Sequence, residues 1–122
     1  MQELLNGTQS NATPPCISLY QPTHRHHPEN QQDPIRFRNL VRQLETSIRA
    51  RYSAAEARVL LQPFEKLSGD PSFWNHTLDG LAILGAEGTF RVFRLQRSVP
   101  ELAIVADTFH TKPLRRFLQS VD

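Results

Sequence analysis

The sequence predicts an α/β (α+β) domain, a mixed sheet of about four strands with helices packed on it. Three observations carry that reading. Short apolar or alternating segments at Cys16–Tyr20, Gly80–Gly85, Thr89–Leu95 and Leu102–Ala106 have strand length and strand composition. Between the first two, the chain repeats apolar residues at a period of about 3.6 residues over two long segments, and it does so again at the end. Proline, glycine and Asx residues separate these blocks, so the order reads strand, helix, helix, three strands, helix.

Each element has a local reason. Residues 1–15 are polar, end in Pro14-Pro15 and read as a flexible N-terminal arm, with residues 16–122 as a single domain. Cys16–Tyr20 alternates Ile17 and Leu19 with Ser18. Gln21–Gln32 has two prolines and no apolar pattern, hence a loop. Asp33-Pro34 reads as an N-cap followed by a first-turn proline, and Phe37, Leu40, Val41, Leu44 and Ile48 form the stripe behind it. Ser53 and Glu56 have the form of a capping box, opening a helix with Ala57, Leu60, Leu61, Phe64 and Leu67 on its apolar face. Pro63 is expected to kink or end that helix. Ser68-Gly69-Asp70-Pro71 is a turn, and Phe73 and Trp74 cover an edge of the core. Gly80–Gly85 is apolar throughout and suits a strand buried on both faces. Ala86-Glu87-Gly88 turns it into Thr89–Leu95, where Arg91 and Arg94 must reach solvent. Leu102–Ala106 is a second apolar strand, Asp107–Thr111 a polar exit, and Leu114, Phe117, Leu118 and Val121 the stripe of a last helix over Lys112–Val121.

Composition narrows the function classes. At 122 residues the chain suits one modest core, and 39% hydrophobic with 21% charged residues fits neither a disordered tail nor a membrane protein. The net charge of +2 is too mild to name a partner; what counts is whether the basic residues cluster. One cysteine, Cys16, excludes an intrachain disulfide. The N-terminal segment has no basic stretch leading into an apolar run, so the glycosylation-type triplets at Asn6, Asn11 and Asn75 are read as chance and the expected location is cytoplasmic.

No reaction is written in the residues. His24, His26 and His27 invite a metal reading, but adjacent histidines on a proline-flanked loop converge poorly on a tetrahedron and no cysteine pair supports them, so no metal and no cofactor are expected. Cys16 has no local activation, and no nucleophile elbow or glycine-rich phosphate loop occurs. His76 with Asp79, and Asp107 with His110, are candidate acid–base pairs whose plainer reading is a structural hydrogen bond. The better functional feature is the first helix. Arg38, Arg42 and Arg49 line one flank of its stripe, with Glu45 among them and Arg36 on the other side. Arg25 stands in the loop before it. Arg25, Arg38 and Arg42 are the candidate phosphate contacts; the bland alternative is a solvated helix face with local Glu–Arg pairs.

The segments PPCISLYQPTHR, QQDPIRFRNLVRQLE, FWNHTLDGLAIL and FRVFRLQRSVPELAIVADTFHTKPL together resemble the N-terminal domain of the bacterial relatives of the archaeo-eukaryotic peptide-chain release factors, family three. The resemblance runs from about Pro14 to Leu118. Its most specific pieces are Pro22-Thr23-His24, Gln32-Asp33-Pro34-Ile35 and His110-Thr111-Lys112-Pro113-Leu114. It implies a longer protein, in which this domain precedes a middle domain and a third domain similar to ribosomal RNA binders. The chain ends where the middle domain is expected to begin, so those downstream domains are implied partners. In the better-known release factors an Asn-Ile-Lys-Ser motif reads the stop codon and Gly-Gly-Gln hydrolyses peptidyl-tRNA. Neither motif occurs here, and the chain has no Gly-Gly pair.

The expectation is therefore a non-enzymatic, ribosome- or RNA-associated module with no membrane segment. The alternative is a protein-interaction domain without RNA binding, and the apolar stripe of the last helix is expected to support weak homodimerisation.

Overall fold

The structure is a computed structural model that describes residues 13–113. The chain runs β1 (Cys16–Pro22), a 3₁₀ turn (Glu29–Gln32), α1 (Asp33–Arg49), α2 (Ala54–Ser68), the short α3 (Pro71–Trp74), β2 (Gly80–Ala86), β3 (Thr89–Leu95) and β4 (Leu102–Ala106). The strands form one sheet in the order β3-β2-β1-β4. All three pairings are antiparallel, so the sheet is not mixed in direction. The α/β class and the count of four strands are as the sequence implies. Almost all of the expected arm, 1–15, and the last helix beyond Lys112 and Pro113, with Leu114, Phe117, Leu118 and Val121 and the homodimer contact assigned to them, lie outside the described residues.

Register sorts the side chains into two faces. Phe90, Gly85, Ile17 and Val105 form one row across the sheet, and Val92, Ile83, Leu19 and Ala103 the next. These rows meet the helices: Ile17, Leu19, Leu81 and Ile83 join Phe37, Leu40, Leu44, Ile48, Leu61 and Phe64 in the larger core. Gly85 is needed there. A Cβ at Gly85 would stand 2.8 Å from Cε1 of Phe64, whose ring packs edge-on against Phe90 with centroids 5.0 Å apart. Across the sheet, Cys16, Tyr20, Ala82, Leu84, Ala86 and Leu95 gather with Phe109 in a second cluster. β2 is buried along its whole length, as its continuous apolar run implies. The similar run in β4 is only half-buried, because β4 is an edge strand and lacks a neighbour on one side.

Asp107–Thr111 is more than a polar exit. Phe109 and Thr111 are buried, and the segment folds back on β1. The His110 N–H donates to Ser18 Oγ at 2.8 Å, the Tyr20 hydroxyl donates to the His110 carbonyl, and the Cys16 thiol reaches the Asp107 carbonyl at 3.4 Å.

The helix ends follow local chemistry in two of three cases. Ser53 Oγ accepts from the Glu56 N–H at 3.1 Å, which is the expected N-cap and half of the expected capping box; the Glu56 carboxylate completes the pair by accepting from the Ser53 hydroxyl at 3.0 Å instead of from the Ser53 backbone N–H. Asp70, inside the expected turn, caps α3 by accepting from the Phe73 N–H, with Pro71 in the first turn. α2 continues through Pro63 to Ser68 rather than ending early. The carbonyl that Pro63 leaves without an intrahelical donor belongs to Val59, which is 63% exposed, so water can satisfy it. The third case overturns the expected cap. Asp33 is the first residue of α1, Gln32 stands at the N-cap without a side-chain bond, and the 3₁₀ turn runs straight into the helix.

Candidate nucleic-acid interface

The Asp33 carboxylate is engaged elsewhere. It is wholly buried, and its two oxygens hold one residue of the preceding loop. Oδ2 accepts the His24 backbone N–H at 2.8 Å, and Oδ1 lies 2.8 Å from His24 Nδ1. With the ring proton on Nδ1, both bonds run from His24 into Asp33. Around this clamp the Thr23 hydroxyl donates to the Leu78 carbonyl at 2.8 Å, and the Thr77 hydroxyl to the His24 carbonyl at 2.6 Å. The Gln21 amide donates to the Asp33 carbonyl at 3.1 Å. Pro22, Thr23 and His24 are thereby brought together with Asp33 and Pro34. His110, Lys112 and Pro113 are not part of this cluster. His110 follows β4 and is bonded to Ser18, while Lys112 beyond it is exposed and Pro113 half-buried.

The three candidate arginines separate. Arg25 is bound by Asp79, with Nε 2.9 Å from Oδ1 and Nη2 3.2 Å from Oδ2. This two-pronged bond is the main cause that lowers the Asp79 pKa from its ordinary value and raises that of Arg25. A phosphate would have to displace a carboxylate there. Arg38 and Arg42 are exposed on α1, and neither is bonded to a carboxylate among the described residues; Arg42 Nη1 donates only to Asn39 Oδ1, at 3.3 Å. Arg36, half-buried on the other side, pairs with Glu101 at 3.1 Å. The free basic flank is thus Arg38 and Arg42, with exposed Arg49 further along.

Beside Arg38 the start of α1, the 3₁₀ turn and α3 enclose a groove of about 580 Å³. Its lining includes His27, Asn30, Gln31, Trp74 and Asn75, and no Asp or Glu. Asp70, close by in sequence, is turned away to cap α3. Reading the residues alone does not find Asp79, 54 positions from the arginine it neutralises.

The other chemical candidates do not assemble. His76 Nδ1 meets the Ser72 carbonyl at 2.7 Å while Asp79 holds Arg25, so that acid–base pair is not formed. Asp107 and His110 are each bound to β1 by backbone groups instead of to each other. Cys16 is buried, and burial, then the charge of Asp107, pushes its thiol up, away from nucleophilic use. Among the described residues no group of three or more His, Cys, Asp or Glu side chains could hold a metal ion, and no helix is long and apolar enough to cross a membrane. Compared with known proteins, the chain matches no family model and no curated protein sequence.

Proposed function

We propose that this chain is a non-catalytic, RNA-backbone-binding module, the N-terminal part of a bacterial release-factor-like protein that works with the ribosome in the cytoplasm. The observation that carries the RNA reading is the pair Arg38 and Arg42, exposed on one flank of α1 with no carboxylate on either among the described residues. Two guanidiniums one helical turn apart suit successive phosphates, a contact indifferent to base sequence. The release-factor-like part rests on the residues of the resemblance, whose first two pieces are those that lock the loop onto the start of this helix.

The test is equilibrium binding of labelled RNAs of unrelated sequence to the full chain over a range of salt. Replacing Arg38 and Arg42 together by alanine is expected to weaken all of them alike and to flatten the salt slope by about 0.7–0.9 per lost contact. Salt-independent binding, or none, rejects the reading.

One observation favours a protein-binding role instead. Val59 stands exposed in a groove of about 320 Å³ shared with Pro14, Pro15, Tyr52 and Leu60. Apolar docking there would survive the salt that removes phosphate binding.

A further inference from the structure

β3 is an outer strand, and no described strand pairs with its free side. It is regular over Thr89–Leu95, with no proline and no glycine to interrupt it. Such an edge offers a row of backbone N–H and C=O groups to another extended segment. Its side chains say which kind. Arg91 and Arg94 are exposed, as is Arg97 just beyond, and none of the three is bonded to a carboxylate among the described residues. From Gly88 to Pro100 the chain has no Asp or Glu. On the inner side β2 sets Leu84 opposite Arg91 and Leu81 opposite Arg94, so it supplies neither with a cross-strand carboxylate. The edge at the far end of the sheet differs: β4 is shorter and carries carboxylates, Glu101 and Asp107, at both ends.

The pattern along β3 fixes its complement. Residues opposite each other on paired strands share a face of the sheet. Arg91 and half-buried Phe93 stand on the face away from the helices, in register with Leu84 and Ala82. Half-buried Val92 and Arg94 stand on the helix side, where the Arg94 guanidinium lies over the Phe73 ring, 4.8 Å from its centroid. An added strand therefore meets, in order, a cation, two apolar side chains and a second cation. Its best match is acid-apolar-apolar-acid, which reads the same in either direction. Each face of the sheet then gains one charge pair and one apolar pair. Edge arginines also keep sheets from sticking to one another, a role that needs no partner and no charge pattern in one.

We propose that β3 is a docking edge for an extended acidic segment of another protein, which adds to the sheet as a further strand with a carboxylate opposite each of Arg91 and Arg94. The inference does not depend on the RNA reading, whose arginines stand on α1.

The experiment follows the backbone amides of the full chain by NMR as a short peptide with the core Glu-Val-Val-Glu is added. The amides of Thr89–Leu95 are expected to shift and to exchange more slowly. The same peptide with Gln in place of both Glu should bind about tenfold more weakly, and Arg91→Gln and Arg94→Gln should each weaken the acidic peptide by about twofold to fivefold. Arg38→Ala and Arg42→Ala should leave its binding unchanged. Two further peptides carry N-methyl groups at alternate residues, on one edge or on the other; one of them should bind and the other should not. Equal binding of these two would show a charge contact without strand pairing and overturn the proposal. So would shifts of the β3 amides that grow with the concentration of the chain alone, which put a second copy on the edge. Shifts caused by RNA but not by the peptide would overturn it too, assigning the arginines to the nucleic-acid surface. No response of β3 to the acidic peptide rejects it outright.

Discussion

Both oxygens of the buried Asp33 carboxylate bind His24, one through the backbone N–H and one through Nδ1, each at 2.8 Å. The carboxylate ties the loop after β1 to the first turn of α1, so the position of the arginine flank depends on an interaction made outside the helix. Asp33 then differs in consequence from the helix cap that its Asp-Pro context suggests. Losing a cap costs about 1 kcal/mol. Losing a hydrogen bond to a charged group costs about 1.5–3 kcal/mol, and the Asp33 carboxylate accepts two of them.

Asp33→Ala is therefore expected to destabilise the chain by about 3 kcal/mol or more, the loss of two such bonds, measured by urea denaturation. His24→Ala should cost less, because His24 is 42% exposed and its backbone N–H survives the change. A loss of only about 1 kcal/mol for Asp33→Ala would return the residue to the role of a cap.

Arg25 should contribute nothing to RNA binding while Asp79 holds it. Arg25→Ala is expected to leave both affinity and salt slope unchanged, in contrast to Arg38→Ala and Arg42→Ala. Asp79→Asn should release Arg25 and steepen the salt slope by about 0.7–0.9, one added contact. The backbone of Asp79 keeps its bonds to Thr23 and Leu95 in that variant. A drop in affinity for Arg25→Ala alone would show that RNA displaces the carboxylate.

The same pair sets an acid limit. Asp79 has a lower pKa folded than its ordinary value of 3.8, first through the hydrogen bond from Arg25. As pH falls, the unfolded chain takes up this proton first. The contribution of the pair is therefore full above the ordinary carboxylate value and is lost as pH drops through the folded one, with no change near neutrality. NMR titration of the Asp79 carboxyl should show a midpoint below 3.8 that moves up toward it in Arg25→Ala. An unmoved midpoint would mean that the exposed pair is not formed in solution.

What the sequence discloses and what it hides have one physical cause. The N-cap at Ser53, the wholly apolar β2 and the turn at Glu87-Gly88, where Gly88 has φ +75°, are each decided within a few residues. The Arg25–Asp79 pair is decided by sheet register. Pro22 lies opposite Gly80, so Thr23 meets Asp79 next, its N–H donating to the Asp79 carbonyl at 3.1 Å, and Arg25 comes within reach. No local pattern encodes that. The half-exposure of β4 is hidden for the same reason, since a run of apolar residues does not say whether its strand lies at the centre or the edge. The arginine flank was readable because a helix face is a local property; its freedom from carboxylates was not.

Gly85 offers a test of how firmly the helix layer is seated. Its missing Cβ leaves room for Phe64, and the Phe64 ring cannot move aside easily. It is fully buried, stacked near Phe37 with centroids 6.5 Å apart, and edge-on to Phe90. A methyl group 2.8 Å from Cε1 must push the ring, and α2 with it, off the sheet. Gly85→Ala is thus expected to cost about 1–3 kcal/mol, although alanine suits a strand better than glycine does. Phe64→Leu alone should also destabilise, by removing ring atoms from the core. The two changes together should cost less than their sum, because the smaller side chain vacates the space that the methyl group needs. Both single variants, where folded, should bind RNA as the parent chain does, since Arg38 and Arg42 are on the solvent side of α1 and Phe37, Leu40 and Leu44 on the core side. Strict additivity of the two stability changes would show that the ring relaxes away from Gly85 without strain. A parallel loss of RNA affinity would show that the seating of α2 is transmitted to the arginine flank.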